Sequence, residues 1–407
     1  MDVITHSGAF MRQFSLPLPT VLAGFVAVLV GYASSAAIIW QAAAAAGANI
    51  AQIAGWMTAL GIGMGVSTLA LSLWYRAPVL TAWSTPGAAL LATSLQGSTL
   101  NEAVGVFLFA NLLIVLCGVT GLFARLMKII PPSLAAAMLA GILLRFGLQA
   151  FSAMEDHFWL CGSMLAVWLA AKALMPRYAI VAALLAGLAV SWLGGEVDSA
   201  ALHFSVAAPA FTAPEFTFAS LTGIGLPFFL VTMASQNAPG LATMQAAGYR
   251  LPVSPLMAMT GGLALLLSPF GVFSICIAAI TAAICQSPDA HPDVHRRWLA
   301  AAAAGVFYLL AGLCGASITS LLAALPLPWI QTLAGLALLG TISGSLHQAL
   351  VRENERDAAI ITFLVTASGV TLLGVGSAFW GLMAGGISYA VLATTRRGPA
   401  LKQEKQV

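Results

Sequence analysis

The stretch that decides the fold is APVLTAWSTPGAALLATS, which runs from Ala77 to Ser94. It is apolar enough to lie at membrane depth, but Pro86 prevents one uninterrupted helix from crossing it. Residues 79–83 favour extended backbone, Thr85 suits the N-cap of a helix, and Pro86 suits the first helical position. The pattern therefore predicts a broken membrane segment, with a short extended piece followed by a half-helix.

Such a break has two physical consequences. Lipid cannot satisfy the backbone groups that the break frees, so they must face protein or a water-filled cavity. The free N–H groups at the start of a half-helix, together with the helix dipole, attract anions. The stretch is therefore a predicted binding site before anything else about the chain is considered.

The composition agrees with a membrane location. Of 407 residues, 60% are hydrophobic and only 7% are charged, against about 25% charged in an ordinary soluble domain. A mean hydropathy of +0.96 predicts an all-α polytopic membrane protein. The net charge of +3 is too small for nucleic-acid binding, and the five cysteines lack CxxC spacing, so no metal site is expected. No GxxxxGK[ST] loop occurs, which excludes ATP-driven transport by this chain, and no cofactor is expected.

Hydrophobic runs predict about 14 membrane segments, some of them shorter than the roughly 20 residues of a full crossing. With a cytoplasmic N-terminus, all of the 16 Lys and Arg residues except Arg145 fall on the inner side, as the positive-inside rule requires. The layout therefore predicts that both termini are cytoplasmic. The predicted segments are 17–40, 53–75, 78–95, 102–124, 131–151, 157–174, 178–193, 222–244, 252–268, 271–286, 297–317, 328–347, 358–375 and 377–394.

A second break is predicted where SPFGVFS, from residue 268, precedes a short apolar run. Pro269 and Gly271 come before a short extended piece, and Ser274 suits an N-cap. The first break is the third segment and this one is the tenth, which is the third of a second group of seven. Because seven is odd, the second group enters from the opposite side, which predicts inverted repeats whose broken segments meet tip to tip. The repeats are residues 1–195 and 222–394, joined by an outer loop at 196–221 and followed by a cytoplasmic tail at 395–407.

Polar side chains in the first segment of each repeat are further candidates. Tyr32 lies in segment one, and Ser235, Gln236 and Asn237 lie in segment eight. Amides near the bilayer centre are costly unless paired, so they are functional candidates by default. Hydrogen bonding between helices, worth about 1 kcal/mol per bond, explains them equally well. The sequence leaves substrate binding and packing open.

Glycine patterns within three segments have a simpler interpretation. They begin at Gly61, Gly340 and Gly381. Small residues at such spacings let helices approach closely, so we expect close packing at all three places, with gating surfaces or oligomer contacts as the alternative.

No Asp or Glu lies at the centre of a predicted segment, although proton-coupled transporters often bury one there. The candidates for proton coupling are Glu102, at the outer end of segment four, and His347, near the inner end of segment twelve. Arg145 lies past the midpoint of segment five. The favoured interpretation is that it snorkels outward toward Glu155 and Asp156. The alternative is a cation that faces the substrate or a gate.

Four stretches carry a resemblance to a known family: SLPLPTVLAGFVAVLVGYASSAAIIWQAA from residue 15, AWSTPGAALLATS from 82, TMASQNAPGLATMQAAGYR from 232 and SPFGVFSICIAAITAAICQSPDAHPD from 268. Together they resemble the bacterial benzoate:proton symporter family over essentially the whole chain. The resemblance implies a carrier in the bacterial inner membrane that imports benzoate or a similar aromatic carboxylate with a proton.

More distantly, the plan is similar to that of nucleobase transporters and sulfate-permease-type anion carriers. The resemblance implies a core domain of segments 1–4 and 8–11 and a gate domain of segments 5–7 and 12–14, with substrate between the two half-helices. Related folds often dimerise, so a homodimer is also implied. The substrate-binding residues carried over by the resemblance are Tyr32, Ser84, Thr85, Pro86, Gly87, Ser235, Gln236, Asn237, Phe273, Ser274 and Ile275.

The sequence departs from the nucleobase relatives, which hold a neutral base with carboxylates in segments eight and ten. Gln236 and Asn237 stand in one place, and Val272 and Phe273 stand in the other. Neutral amides and helix N-termini suit an anion that a carboxylate would repel. The departure leaves three carriers for the proton, which are Glu102, His347 and the substrate itself.

The predicted function is therefore a secondary active transporter in the lipid bilayer. Two alternatives stay open: a carrier for another small organic anion, and a passive anion channel, because broken helices can also line a pore. An intramembrane enzyme is excluded, since no nucleophile and base pair or metal constellation occurs at membrane depth.

Overall fold

The computed structural model describes residues 17–122, 131–202, 204–372 and 376–397. The tail beyond residue 397 lies outside the described residues, as do the basic residues Arg12, Arg125, Lys128, Lys402 and Lys405. A helix occurs within each of the fourteen predicted segments. The helices are α1 Leu18–Ala45, α2 Ile50–Tyr75, α3 Thr85–Ser94, α4 Leu100–Thr120, α5 Pro132–Ser152, α6 Phe158–Leu174, α7 Ala179–Leu193, α8 Phe218–Ala246, α9 Val253–Leu267, α10 Ile280–Gln286, α11 in two pieces, Trp298–Leu313 and Gly315–Ala324, α12 Leu327–Leu350, α13 Arg356–Ala367 and α14 Ser377–Arg397.

Irregular elements interrupt or connect these helices. Two short strands precede the two half-helices, β1 at Thr81–Ala82 and β2 at Cys276–Ile277. Helix α8 contains π-helical turns at Leu221–Gly225 and Met233–Asn237. Single 3-10 turns lie at Pro176–Tyr178, Ser199–Ala201, Ser268–Phe270, Val294–Arg296 and Glu353–Glu355.

Seven of the described helices, namely α1, α2, α4, α5, α8, α9 with the turn that follows it, and α12, are long and apolar enough to cross a membrane. The two pieces of α11 are bent by 62° and make an eighth crossing if they form one span. Helices α6, α7 and α14 are apolar but shorter. Helix α3, with ten residues, rises only about 15 Å. Fourteen membrane segments therefore stay a prediction, although the helical fold class is established.

Close packing through glycine occurs at two of the three predicted places. A Cβ atom at Gly61 would overlap the backbone of Gly312, so α2 and α11 approach backbone to backbone. A Cβ atom at Gly385, in the pattern that begins at Gly381, would overlap the Thr362 side chain of α13. The prediction is wrong for Gly340 and its partner Gly344, where a Cβ would meet no described atom within 4 Å. Their helix faces an open space there rather than another helix.

The hydrophobic core is centred on large rings beside the second break. Its largest fully buried side chains include Trp329, Tyr308, Phe107, Phe228 and Phe273. The Phe273 ring lies edge-on to Phe107 and Phe228, at centroid distances of 6.2 Å and 6.3 Å. Because Phe273 precedes β2, this aromatic packing fixes the second break to α4 and α8.

Candidate functional site

The first break is held by hydroxyl groups of α2. The Thr81 N–H donates to Oγ1 of Thr68 at 3.0 Å, and the Ser72 hydroxyl donates to the carbonyl oxygen of Val79 at 3.0 Å. The hydroxyls of Ser67 and Thr81 lie 2.7 Å apart. These side chains supply the partners that the extended backbone lacks, as a membrane interior requires.

Helix α3 begins one residue earlier than the sequence predicted. Ser84 rather than Thr85 is its N-cap, because the Ser84 backbone is extended and its hydroxyl accepts from the Gly87 N–H at 3.0 Å. Pro86 therefore occupies the second helical position. The Thr85 hydroxyl lies instead 2.9 Å from that of Ser35 in α1. Within the described chain, the Thr85 N–H has no acceptor and is free for a ligand.

The second break is held by buried amide side chains from two other helices. Asn237 of α8 accepts, through Oδ1, from the Ile277 N–H at 3.0 Å. Asn111 of α4 donates through Nδ2 to the carbonyl oxygen of Phe273 at 3.0 Å and to Oγ of Ser268 at 3.1 Å. Both asparagines are fully buried. Their side chains therefore supply the hydrogen bonds that water would supply to an exposed backbone.

Ser274 does not cap its own half-helix, contrary to the prediction. Helix α10 begins only at Ile280, and no side chain caps its first turn. The chain stays extended after Ser274, because β2 has a strand partner to pair with. The Ser274 hydroxyl instead accepts from the Ser84 N–H at 3.0 Å and so ties the second break to the first.

The two broken segments lie side by side. Strands β1 and β2 pair antiparallel, with Thr81 opposite Ile277 and Ala82 opposite Cys276. They meet as paired strands rather than tip to tip, because pairing satisfies part of the backbone groups that each strand leaves open. The start of α3 is thereby fixed next to the second break.

Gln236 and Asn237 are neighbours in α8 with different surroundings. Asn237 is fully buried and bonded to β2. Gln236 and Ser235 are half-buried, and among the described residues neither side chain makes a hydrogen bond. All three lie in the π-helical turn at Met233–Asn237, and such turns are frequent at functional sites. Gln236 is therefore available to a ligand, whereas Asn237 is part of the fold.

Four of the residues that the resemblance indicated face protein rather than open space. Phe273 and Ile275 are fully buried, and Pro86 and Gly87 are also buried. A Cβ atom at Gly87 would lie 2.6 Å from the Phe228 ring. These residues shape the break and its surroundings.

Tyr32 borders both the first break and an apolar groove. Its ring lies edge-on to Trp83, at a centroid distance of 4.7 Å. Its hydroxyl is buried, without a hydrogen-bond partner in the described chain. The ring also lines the apolar groove, a space of about 550 Å³ between α1, α7, α11 and α12.

Two further cavities lie along the seam between α5 and α8. The wide cavity, about 630 Å³, is lined by Ser235 of α8 and by Gly344 and Gln348 of α12. The polar cavity, about 480 Å³, is lined by Glu102, Arg145 and many hydroxyl groups. Either volume is large enough for a small aromatic acid.

Less than one turn of α5 separates the wide cavity from the polar cavity. Leu139 lines the first and Gly141 lines the second, two residues away. In α14, Leu382 lines the wide cavity and Ala378 lines the polar cavity. The α5 and α14 residues nearest this boundary, such as Leu139 and Leu382, are apolar, and the two cavities are separate spaces.

The titratable candidates are placed differently. Glu102 lines the polar cavity, and its carboxylate accepts from the Thr99 N–H at 3.0 Å at the start of α4. His347 is exposed on α12 and lines none of these three spaces. Arg145 also lines the polar cavity, and no salt bridge among the described residues joins it to Glu155 or Asp156. This placement favours a cavity-facing cation over the outward-snorkelling interpretation.

Sequence reasoning missed the residues that hold the breaks from outside. Asn111 could have been found by the rule that selected Gln236, because it is an amide inside an apolar segment. Ser67 and Thr68 carry a weaker signal, since hydroxyls in helices commonly bond their own backbone. Ser67 does so as well, donating to the Gly63 carbonyl at 2.7 Å.

The fold is that of a helical membrane transporter. It is similar to the transmembrane domain of the cyanobacterial bicarbonate transporter BicA, with a TM-score of 0.61 at 14% identity, over 91% of this chain and 98% of that one. It is also similar to SLC26A9, with a TM-score of 0.61 at 12% identity, over 95% of this chain and 67% of that one. The chain belongs to the benzoate membrane transport protein family, whose model matches residues 14–391.

Two relatives are similar over nearly their whole length. The inner membrane protein YdcO of Escherichia coli (strain K12) is 69% identical over 382 residues, which are 94% of this chain and 98% of that protein. The benzoate membrane transport protein of Acinetobacter baylyi is 39% identical over 375 residues, which are 92% of this chain and 95% of that protein. The chain is therefore a multi-pass membrane transporter of the bacterial inner membrane.

Proposed function

We propose that this transporter is a secondary active carrier that imports benzoate or a similar aromatic carboxylate together with a proton. In this proposal a core of α1–α4 and α8–α11 moves against a gate of α5–α7 and α12–α14, and the two sets are inverted repeats with cytoplasmic termini. The antiparallel pairing of β1 with β2 supports repeats that enter from opposite sides. The extensive packing of α2 on α11 and of α5 on α12 supports the two domains.

The observation that carries the proposal is the division of the α5–α8 seam into two compartments. A carrier exposes its site to one side at a time, whereas a channel needs a continuous path. Two separate spaces, one lined by Leu139 and the other by Gly141, support a carrier. With the proposed topology, the wide cavity faces the cytoplasm and the polar cavity faces outward.

The chemistry of the breaks supports an anionic substrate. The free polar groups there are neutral, namely the Gln236 amide, the Thr85 N–H and the Tyr32 hydroxyl. An N–H at a helix start favours a carboxylate. Tyr32 and Trp83 supply ring surfaces for an aromatic acid. The name of the Acinetobacter relative makes benzoate the first substrate to test.

Glu102 is the proton carrier that the geometry supports best. It is half-buried and lines the polar cavity, through which an outer substrate would pass. His347 is exposed on α12, away from the three spaces described above. We therefore place proton coupling at Glu102, with His347 as the comparison residue.

Uptake of labelled benzoate into liposomes that contain the purified protein tests this function. We expect saturable uptake that rises with an inward proton gradient and with unlabelled benzoate inside, since exchange is the mark of a carrier. Protein-free liposomes are the control, because neutral benzoic acid crosses lipid unaided. Flux that does not saturate and shows no exchange would indicate a channel, and saturable uptake of another organic anion alone would replace benzoate as substrate.

A further inference from the structure

Arg145 lies deep in α5 without a structural partner. Seven residues separate it from the end of α5 at Ser152, which is about 10 Å of helix. An arginine at such depth is costly unless it faces a partner or a water-filled cavity. Its side chain is exposed to the polar cavity, and it has no salt bridge or hydrogen bond within the described chain. Its charge is therefore uncompensated by the fold.

Among the residues that the structure describes, Glu102 is the only other charged one that lines the polar cavity. Its carboxylate is already engaged by the Thr99 N–H at 3.0 Å and faces the Thr217 hydroxyl at 3.5 Å. Both carboxylate oxygens of Glu102 therefore have other partners, and Glu102 forms no ion pair with Arg145. The guanidinium keeps its donors for a molecule that enters the cavity.

The remaining walls also favour an anion with an apolar part. Three helices, α4, α8 and α14, begin at the polar cavity and two, α3 and α13, end there, so the positive partial charges of the helix starts are partly offset and Arg145 is the main attraction for an anion. Hydroxyl groups of Thr217 and Ser220 line the same space, and Ile142 and Ile224 add apolar surface at its inner end. A carboxylate next to Arg145 would place an attached ring toward these two isoleucines.

We propose that the polar cavity is an entry site, in which the Arg145 guanidinium binds the carboxylate of an incoming aromatic acid before the acid reaches the breaks. A planar guanidinium can bind a carboxylate through two parallel hydrogen bonds, which a lysine cannot reproduce. Gln236 does not line this cavity, so the entry site is distinct from it. The identity of the acid, an aromatic carboxylate, rests on the proposed function. The preference of the site for an anion does not.

Benzoate uptake by cells that carry Arg145→Gln, Arg145→Lys or Lys172→Gln tests the kinetic consequence. We expect Arg145→Gln to raise the KM for uptake roughly tenfold, the effect of losing about one charged hydrogen bond. Arg145→Lys should raise it less, because the charge remains. Lys172→Gln is the matched control, since this exposed cation of α6 lines none of the three spaces. An unchanged KM in Arg145→Gln, with the protein folded as judged by its melting temperature, would overturn the entry site.

A second measurement does not depend on transport. Ser98 lines the polar cavity and is half-buried, so Ser98→Cys places a thiol there. In purified protein we expect a negatively charged thiol reagent to react faster than a positively charged one of equal size, and benzoate to slow the reaction. Adding Arg145→Gln should reverse the reagent preference and remove protection by benzoate.

The two measurements separate the possible failures. If wild-type protein does not transport benzoate but the reagent preference depends on Arg145, the anion site stands and the substrate of the proposed function is wrong. If wild-type protein transports benzoate and the preference is the same with and without Arg145, the entry site is wrong and the proposed function stands. The wild-type chain is the reagent control, because four of its five cysteines are buried.

Discussion

The two broken segments meet the same physical demand with different side chains. Thr81 and Ile277 are opposite each other in the strand pair, and each N–H needs an acceptor outside the pair. A hydroxyl of α2, from Thr68, accepts in the first break, and an amide of α8, from Asn237, accepts in the second. The first acceptor lies close to β1 in sequence, and the second lies 40 residues from β2.

This difference indicates which of the two breaks depends more on the helices packed around it. The first break is held several times over, by Ser67, Thr68 and Ser72, and its half-helix is capped by Ser84. The second has no cap and relies on amides from α4 and α8. We therefore expect the first break to be a rigid platform, and the second to respond to movements of α8.

The largest effect is expected where α8 contacts the second break. A Cβ atom at Gly240 would overlap the carbonyl oxygen of Ile277, and a backbone atom cannot move aside as a side chain can. Gly240→Ala should therefore destabilise the protein by ~3 kcal/mol or more, since this is the upper end of the range for overpacked cores. A large drop in the melting temperature in detergent would show it.

Gly262→Ala in α9 is the matched control for this substitution. No described atom lies within 4 Å of its Cβ position. A glycine to alanine change in an open helix stabilises by up to about 1 kcal/mol. Equal melting temperatures for the two variants would mean that β2 does not depend on α8.

The next effect compares the two acceptors directly. Asn237→Ala leaves the buried Ile277 N–H unsatisfied, which should cost about 1–3 kcal/mol. Thr68→Ala also removes the acceptor of a buried N–H, that of Thr81. It should cost only about 1 kcal/mol, the lower end of the same range, because Ser67 and the Met64 carbonyl still bond the Thr81 hydroxyl and hold the strand. Thermal unfolding of both variants in the same detergent measures the difference. A larger loss for Thr68→Ala would contradict the view that the first break is held redundantly.

A smaller effect is expected from the cap that only the first half-helix has. Ser84→Ala removes the acceptor for the Gly87 N–H and should cost about 1 kcal/mol. Ser84→Asp should restore the cap but not the whole melting temperature, because its carboxylate lies at a fully buried position. It should also repel a carboxylate at the start of α3, so benzoate uptake should fall. Normal uptake by a stable Ser84→Asp protein would argue against an anion at this helix start.

The smallest effect on stability is expected at Gln236, although its neighbour Asn237 should have one of the largest. Gln236 makes no hydrogen bond within the described chain, so Gln236→Ala should leave the melting temperature nearly unchanged. The same variant should raise the KM for benzoate roughly tenfold, as the loss of one hydrogen bond to a charged group would. If Gln236→Ala lowers the melting temperature as much as Asn237→Ala does, the division between a binding amide and a structural amide is wrong.

Much of the fold was predictable because membranes impose strict rules on sequence. Long apolar runs, and proline within one of them, indicated helices and breaks at places where the structure has them. The positions of caps were less predictable. Ser84 and Thr85 are both good N-caps by type, and only the bond to Gly87 distinguishes them.

The candidate site was only partly predictable, because residue type does not reveal a partner. Gln236 and Asn237 look alike in sequence, yet one bonds β2 and the other is free. Ser274 looked like a cap, yet it accepts from the other break. For Arg145 the sequence left both an outward-snorkelling side chain and a cavity-facing cation open, and in the structure this residue lines the polar cavity.

The sequence by itself determined that this chain is a helical membrane protein with two breaks, because hydropathy and proline are local properties that decide how a segment can lie in lipid. The sequence also determined the family, because the motifs that identify it are continuous stretches that can be recognised without a structure. Only the tertiary structure decided which polar groups are used by the fold and which are left for a ligand. Hydrogen bonds between Ser84 and Ser274, or Asn237 and Ile277, join residues 190 and 40 positions apart, and no local pattern encodes such pairs.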